Sequence, residues 1–307
     1  MTHLSFFWLK PENEKIIKGL ESEFCSLVKD AVRKNRLSLP PIPEVLAQLH
    51  TLCNADDTTV RDIADLLLDD PSLAASIVRT SNTIMFNRRN IICHDLQAAV
   101  SRLGILRVRD IVTAQAIEEL KNKNHFGHEC NLLLSQSAIR SRQLAGTMAL
   151  ICQGITKHSD KQLSLEPEKA LLTGLLADIG VFGLINEYHS YLNHGNYLDL
   201  DIATYVFQQC CGEATSMVLK HWGFDDDYLE VASNKAMPYK EQYNKTSYLD
   251  IARMANHLLM FKDNDEAINE HHVELDLAGA EVMYELTNMP DADFESQIRN
   301  VMKDSGM

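Results

Sequence analysis

Four groups of residues in this chain have types and spacings that could do chemistry. His125-x-x-His128, with Cys130 two residues further on, has the spacing of half a zinc site. A structural zinc takes four ligands, and no second pair stands at a matching distance, so exposed loop histidines are the simpler expectation. Glu270-His271-His272-Val273-Glu274 sets His271 and Glu274 three apart, on one face if the segment is helical, where they could hold a cation or pair as charges. A solvated turn is the simpler expectation. His189 and His194 flank Tyr191 and could line a pocket. The last group is one acid in an otherwise apolar run, Leu171-Leu172-Thr173-Gly174-Leu175-Leu176-Ala177-Asp178-Ile179-Gly180. Nucleophilic serine chemistry is not suggested, because no GxSxG elbow occurs. No phosphate-cradling glycine loop of the Walker or dinucleotide type occurs either.

The elements that would position these residues read as helices almost throughout. Val60, Ile63, Ala64, Leu66, Leu67 and Leu68 repeat at helical spacing, with Thr58 or Thr59 as N-cap. Asp70-Pro71 closes that helix and opens another, since Pro suits the first helical position and Asp70 can cap it. Residues 12–35 read as one charged amphipathic helix, broken by Leu39-Pro40-Pro41-Ile42-Pro43. Further helices are expected over 44–52, 95–103 (ending at Gly104), 105–120, 132–152, from Pro167 through Asp178, 202–222, 226–233, 247–260, 276–287 and 292–303. Lys121–Glu129 reads as a connection between two halves, and Gln153–Glu166 as a polar loop. No alternating β-branched run and no Asn-Gly or Asp-Gly hairpin signal appears.

Bulk properties narrow the class of function. The 307 residues suit one large domain or two close-packed halves. A net charge of −14 argues against a nucleic-acid partner; short clusters such as Arg88-Arg89 and Arg107/Arg109 could make a local patch, but solvated helix-face charges are the simpler expectation. Seven cysteines, an odd number without a CxxC pair, suit reduced thiols in a cytoplasmic protein. Adjacent Cys210 and Cys211 do not face each other on a helix, so two buried small residues are expected rather than a redox pair. No apolar run approaches the roughly 20 residues that span a bilayer. The N-terminal Phe6-Phe7-Trp8 cluster lacks the basic leader of a signal peptide and is a candidate interaction surface.

The order of motifs resembles the HDOD domains, HD-related output domains of bacterial signalling proteins. Leu39-Pro-Pro-Ile-Pro-Glu-Val45 resembles their opening, and Val60 through Ala75 the helix pair that follows. Ser81-Asn82 resembles an Asn-Ser turn, and Ala98-Ala99-Val100-Ser-Arg-Leu-Gly104 an "AI-x-x-LG" helix. Gly174–Gly180 resembles "GLLHDIG", and Gly212-Glu213 through Trp222-Gly223 resembles "HAEVG…WGLP". Each piece alone says little; together, in this order over about 36–260, they are specific. The resemblance implies an all-α, HD-domain-like fold. Its implied layout is an N-terminal extension over 1–35, the HDOD domain over 36–238, and C-terminal helices over 239–307 on the same body.

HD phosphohydrolases present His, His-Asp and a later Asp to one or two metals. Carried over position by position, the first His falls at Ser135 or a neighbour such as Leu133. The paired His is Ala177 and its Asp partner is Asp178. The His before the Ala-Glu-Val-Gly stretch falls at Cys211, the later His pair at Asn234-Lys235, and the last Asp at Asn256. Phosphoester hydrolysis needs a cation that activates water and neutralises phosphoryl oxygens. One carboxylate among Ser, Ala, Cys and Asn is too small a donor set for hard dications or imidazole-loving metals.

The expectation is therefore a non-catalytic regulatory module without cofactor, acting on an unknown signalling protein or small ligand. The alternative is a metal-dependent phosphohydrolase acting on nucleotides or cyclic dinucleotides. A third reading keeps a vestigial pocket that binds a nucleotide without cleaving it. Lys235 could fold toward Asp178 and replace the lost metal charge; a solvated Lys235 is the simpler expectation.

Overall fold

The computed structural model describes residues 4, 12–37, 44–87, 90–122, 126–158, 165–236, 246–264, 268, 273 and 275–305. Among them are fifteen α-helices and no strand. Phe6, Phe7 and Trp8, and likewise His125, His271 and Glu274, lie outside the described residues.

The chain divides into two compact units. One holds residues 1–40 and 121–295, the other 41–120 and 296–307. This division differs from boundaries at 35/36 and 238/239: the N-terminal extension and residues 239–295 join the unit that carries Asp178, and 41–120 stand as a unit of their own. The change of unit at 120/121 falls at the start of the polar connection.

The smaller unit comprises α3 (Glu44–Cys53), α4 (Val60–Leu68), α5 (Pro71–Ser81), α6 (Leu96–Leu103) and most of α7 (Ile105–Asn122). The caps expected from sequence are formed. Thr59 and Asp62 make a reciprocal capping box at α4. Asp70 accepts from Ser72 and Leu73 N–H with Pro71 at N1, and Gly104 takes the positive φ of +84° that ends α6. Leu49, Ile63, Leu67, Ile77, Val100 and Ile111 are fully buried in one core, whose removal from water is the main force holding these short helices together.

The larger unit is built on α8 (His128–His158), 31 residues long. Against it pack α9 (Pro167–Leu176), α13 (Tyr248–Lys262) and α14 (Leu277–Asn288). The other main packing centre is α11 (Leu200–His221), flanked by α1 (Asn13–Glu21), α2 (Glu23–Arg33), α10 (Val181–Asn193) and α12 (Asp226–Ser233). The last helix is α15 (Asp291–Ser305). Two differences from the sequence reading have local causes. Residues 12–35 form two helices, not one, because Ser22 leaves helical backbone and its hydroxyl accepts from Cys25 N–H as the N-cap of α2. The expected loop from Gln153 starts later, because α8 runs on to His158, with Gly154 seated against Val282 of α14.

Pro167–Asn193 is long and apolar enough to cross a membrane by length and composition, which the sequence reading did not anticipate. It is interrupted by a turn at 177–180, and 89% of an 18-residue apolar stretch within it is buried in the protein. All seven cysteines are free thiols, and Cys210 and Cys211 are both buried.

Candidate functional site

The Gly174–Gly180 segment ends α9, turns, and starts α10, and its glycines are where backbones touch. A Cβ on Gly174 would lie 2.5 Å from Ala145 Cα on α8. A Cβ on Gly180 would lie 2.4 Å from Thr215 N and 2.7 Å from Ala214 C on α11. The turn is thus wedged between the two longest helices of its unit. Gly180 N–H donates to Thr215 Oγ1 at 3.1 Å, so a buried donor is satisfied across that contact.

Asp178 sits in the middle of the wedge, 1% exposed. Its carboxylate accepts a short hydrogen bond from the hydroxyl of Ser137, itself buried on α8. Ala177 is the C-cap residue of α9 and is also buried, placing a methyl group where a ligand would be needed. Cys211 is fully buried, with its sulfur 3.6 Å from the Thr215 hydroxyl that holds Gly180.

The other positions carried over from the resemblance are placed as follows. Ser135 is exposed and donates to the Asn131 carbonyl at 2.9 Å, so the α8 residue facing Asp178 is Ser137, half a turn further on. Asn234 is the left-handed C-cap of α12, φ +52°, and its side-chain oxygen accepts from Arg253 Nε at 2.9 Å. Lys235 is exposed beyond that cap, and among the described residues no ion pair joins it to Asp178. Asn256, 3% exposed on α13, turns its amide N–H₂ to Met260 Sδ at 3.6 Å. Its Oδ1 is buried without a hydrogen-bond partner among the described residues.

The donor set does not fit the metals of an HD site. The Asp178 carboxylate accepts from the Ser137 hydroxyl, Ala177 offers only a methyl group, and the Thr215 hydroxyl accepts from Gly180 N–H and lies 3.6 Å from the Cys211 thiol. Among the described residues no three His, Cys, Asp or Glu side chains are grouped to hold a metal ion. Metal-binding sites keep their ligands convergent and supported by outer hydrogen bonds. Here the hydrogen bonds join helix to turn instead.

A second polar cluster, missed in the sequence, ties α9 to α12 and α13. Lys169 bridges Asp225 at 2.9 Å and Asp227 at 2.5 Å, and its ammonium lies 5.5 Å and 5.2 Å from the ring centroids of Tyr228 and Tyr248. Burial alone would lower the Lys169 pKa, but the two carboxylates outweigh it and raise it. Tyr248 OH accepts from Glu166 N–H at 2.8 Å, and burial pushes its phenol well above the usual range. The sequence signal was available: a lysine in the first turn of α9, where the helix dipole disfavours a cation, needs nearby carboxylates to explain it.

Of the remaining histidines, His128 is exposed at the start of α8. His189 stacks near Phe126, with ring centroids 5.9 Å apart. Tyr191 and His194 do line a cleft, between α2 and the end of α10.

A helical bundle with an HD-like turn wedged between its longest helices defines the class, and the comparisons with known proteins agree. The HDOD domain matches residues 39–238. The chain belongs to the HDOD family. It is similar in structure to a candidate metal-dependent phosphohydrolase of Shewanella amazonensis SB2B, with TM-score 0.69, 18% identity, 92% of this chain and 98% of that one covered. A candidate phosphohydrolase of the same organism gives TM-score 0.53 at 19% identity, covering 93% and 99%. An HDOD domain protein of unknown function from Geobacter sulfurreducens gives TM-score 0.53 at 18% identity, covering 91% and 97%. At these identities the likeness is one of fold. No curated protein matches the chain.

Proposed function

We propose that this protein is a non-catalytic signal-transduction module of the cytoplasm, which keeps the HD fold and acts by binding a protein partner or a small ligand. The observation that carries the reading is the environment of Asp178. The one retained acid of the motif has Ala177 beside it and accepts a hydrogen bond from the Ser137 hydroxyl. Membership in the HDOD family supports the signalling role. The Phe6-Phe7-Trp8 cluster, aromatic as interface centres tend to be, is a candidate contact for the protein partner.

The test is hydrolysis. Nucleotides and cyclic dinucleotides are incubated with the purified protein in the presence of Mn²⁺, Fe²⁺ or Zn²⁺, with Asp178→Ala alongside. The reading predicts no turnover above buffer in either protein. Turnover that disappears in Asp178→Ala would establish the metal-dependent phosphohydrolase instead. For the protein partner, Phe7→Ala with Trp8→Ala must change the oligomeric state or the set of bound proteins, or the aromatic contact is wrong.

A further inference from the structure

We propose that this protein associates with a second copy of itself head to tail. The apolar loop that follows α5 in one copy, set in a basic stretch, seats on the apolar and acidic outer face of α14 in the next. Neither surface includes a residue of the Asp178 turn, so the inference is independent of what that turn does.

The charge of the chain is sorted along its length. Residues 71–108 hold five arginines, no lysine and a single acid, Asp95. Residues 263–298 hold eleven acids and neither lysine nor arginine. A chain at −14 thus contains one stretch at +4 and another at −11. Charges are screened over about 8 Å at physiological ionic strength, so a docking surface feels the local charge rather than the net one.

The basic stretch carries apolar side chains that its own fold leaves uncovered. Ile84 is 91% exposed, and Ile91, Ile92 and Leu106 are exposed as well. The loop that presents the isoleucines is tied down at both ends. Asn82 holds the N–H and the carbonyl of Cys93, at 2.8 and 2.7 Å. Arg102 donates to the carbonyls of Ser81 and Ile91, at 3.0 and 2.8 Å. Arg107, next to Leu106, has its guanidinium 5.8 Å from the Phe86 ring centroid, which brings the start of α7 to the same loop. Arg88 and Arg89 belong to this stretch of sequence and lie outside the described residues. An apolar surface already held in shape loses little freedom on docking.

The acidic stretch offers the complement. The inner face of α14 is used by its own unit: Val282, Met283 and Leu286 are buried, and Val282 meets Gly154 of α8. Its outer face still carries Leu277 and Tyr284, 79% and 73% exposed and seven residues apart, a spacing that keeps both on one side of the helix. Glu281 lies between them and Glu285 follows Tyr284, both exposed. His158 approaches the two carboxylates at 3.3 and 3.6 Å, and no lysine or arginine among the described residues pairs with either. Isoleucines against Leu277 and Tyr284 bury apolar surface on both sides, and arginines beside them meet carboxylates and an aromatic face. Two basic loops repel each other, as do two acidic faces, so the contact joins unlike surfaces of two copies.

Sedimentation velocity of the full chain tests this. At about 0.1 mM chain and about 0.1 M NaCl the parent is expected to sediment as more than one chain. Raising the salt to about 1 M shortens the screening length from about 10 Å to about 3 Å and should weaken the association about tenfold or more. One variant carries Ile91→Asp with Ile92→Asp, another Leu277→Lys with Tyr284→Lys, and each should sediment as a single chain. All four side chains are exposed, so both variants should melt within a few degrees of the parent. The decisive arm mixes the two variants. Each keeps the surface that the other has lost, so together they should form a complex of two chains. The proposal is overturned if the parent stays a single chain, if either variant keeps the parent's mass, or if the mixture remains single chains.

Discussion

Gly180→Ala places one methyl group where the backbone of α11 already is. The new carbon would stand 2.4 Å from Thr215 N, 2.7 Å from Ala214 C and 2.8 Å from Ala214 Cβ. Ordinary contact begins at 3.4 Å, so α11 and the turn must separate by 1.0 Å at the nearest atom. Both nearest atoms are backbone, so no rotamer change relieves the clash. Overpacking of this kind costs about 1–3 kcal/mol, and the upper end applies because a long helix has to move. The Gly180 N–H to Thr215 bond stretches with it, leaving a buried donor poorly paired. Against this, Gly180 has φ −63°, which alanine adopts freely, so the unfolded chain loses entropy worth about 0.4–1 kcal/mol in favour of the variant. The net is about 2 kcal/mol of destabilisation, or a midpoint lower by about 4–8 °C for a unit of this size. Differential scanning calorimetry reads it directly, with Gly127→Ala as control. The nearest atom to a Cβ there is His189 Nε2 at 4.0 Å, so that variant should melt with the parent. If Gly180→Ala melts within a degree of the parent, the wedged turn is not how this segment is held.

Three further outcomes follow from the same geometry. Ser137→Ala removes a donor from a buried carboxylate and should cost about 1.5–3 kcal/mol in urea unfolding, whereas Ser135→Ala should stay within about 0.5 kcal/mol; the reverse order would put the wrong serine against Asp178. Asn82 holds both the N–H and the carbonyl of Cys93, at 2.8 and 2.7 Å, so Asn82→Ala should speed amide exchange across 83–95 while exchange in α11 stays as it was. Lys169 has its pKa raised in the folded protein, so its contribution is complete below about pH 10.5, its ordinary value, and fades as pH rises through the higher folded value. The stability difference between the parent and Lys169→Met should therefore shrink above that pH, and a difference that grows with pH would reverse the sign of the argument.

The fold was legible wherever the sequence carried punctuation. Asp70-Pro71, Thr59 and Gly104 each specify a local backbone geometry, and the structure has helix ends there. Ser22 was the same kind of signal, overlooked because the amphipathic pattern continues across it. The site was harder for a different reason. Inside the 31 residues of α8 nothing punctuates the chain, so motif alignment alone leaves the register loose, pointing to Ser135 or a neighbour such as Leu133 where the structure has Ser137. The small residues Ser137, Ser141, Ala145 and Ala149 recur every fourth position and are all buried. That stripe faces α9, as the contact of Ala145 with Gly174 shows, and it contained the information that spacing from a family motif did not. The Lys169 cluster joins three helices distant in sequence, and no single-segment pattern announces such a meeting.

The glycines of the Gly174–Gly180 motif are explained by helix packing, and the proposed function takes the bond to Ser137, not a metal, as what engages the Asp178 carboxylate. Metal content tests this account most directly. Protein expressed in medium supplemented with iron, manganese and zinc, then purified without chelator, is analysed by inductively coupled plasma mass spectrometry. The account predicts far less than one ion of each metal per chain, the same in parent and Asp178→Asn. One or two ions per chain in the parent, absent from a folded Asp178→Asn variant, would contradict it.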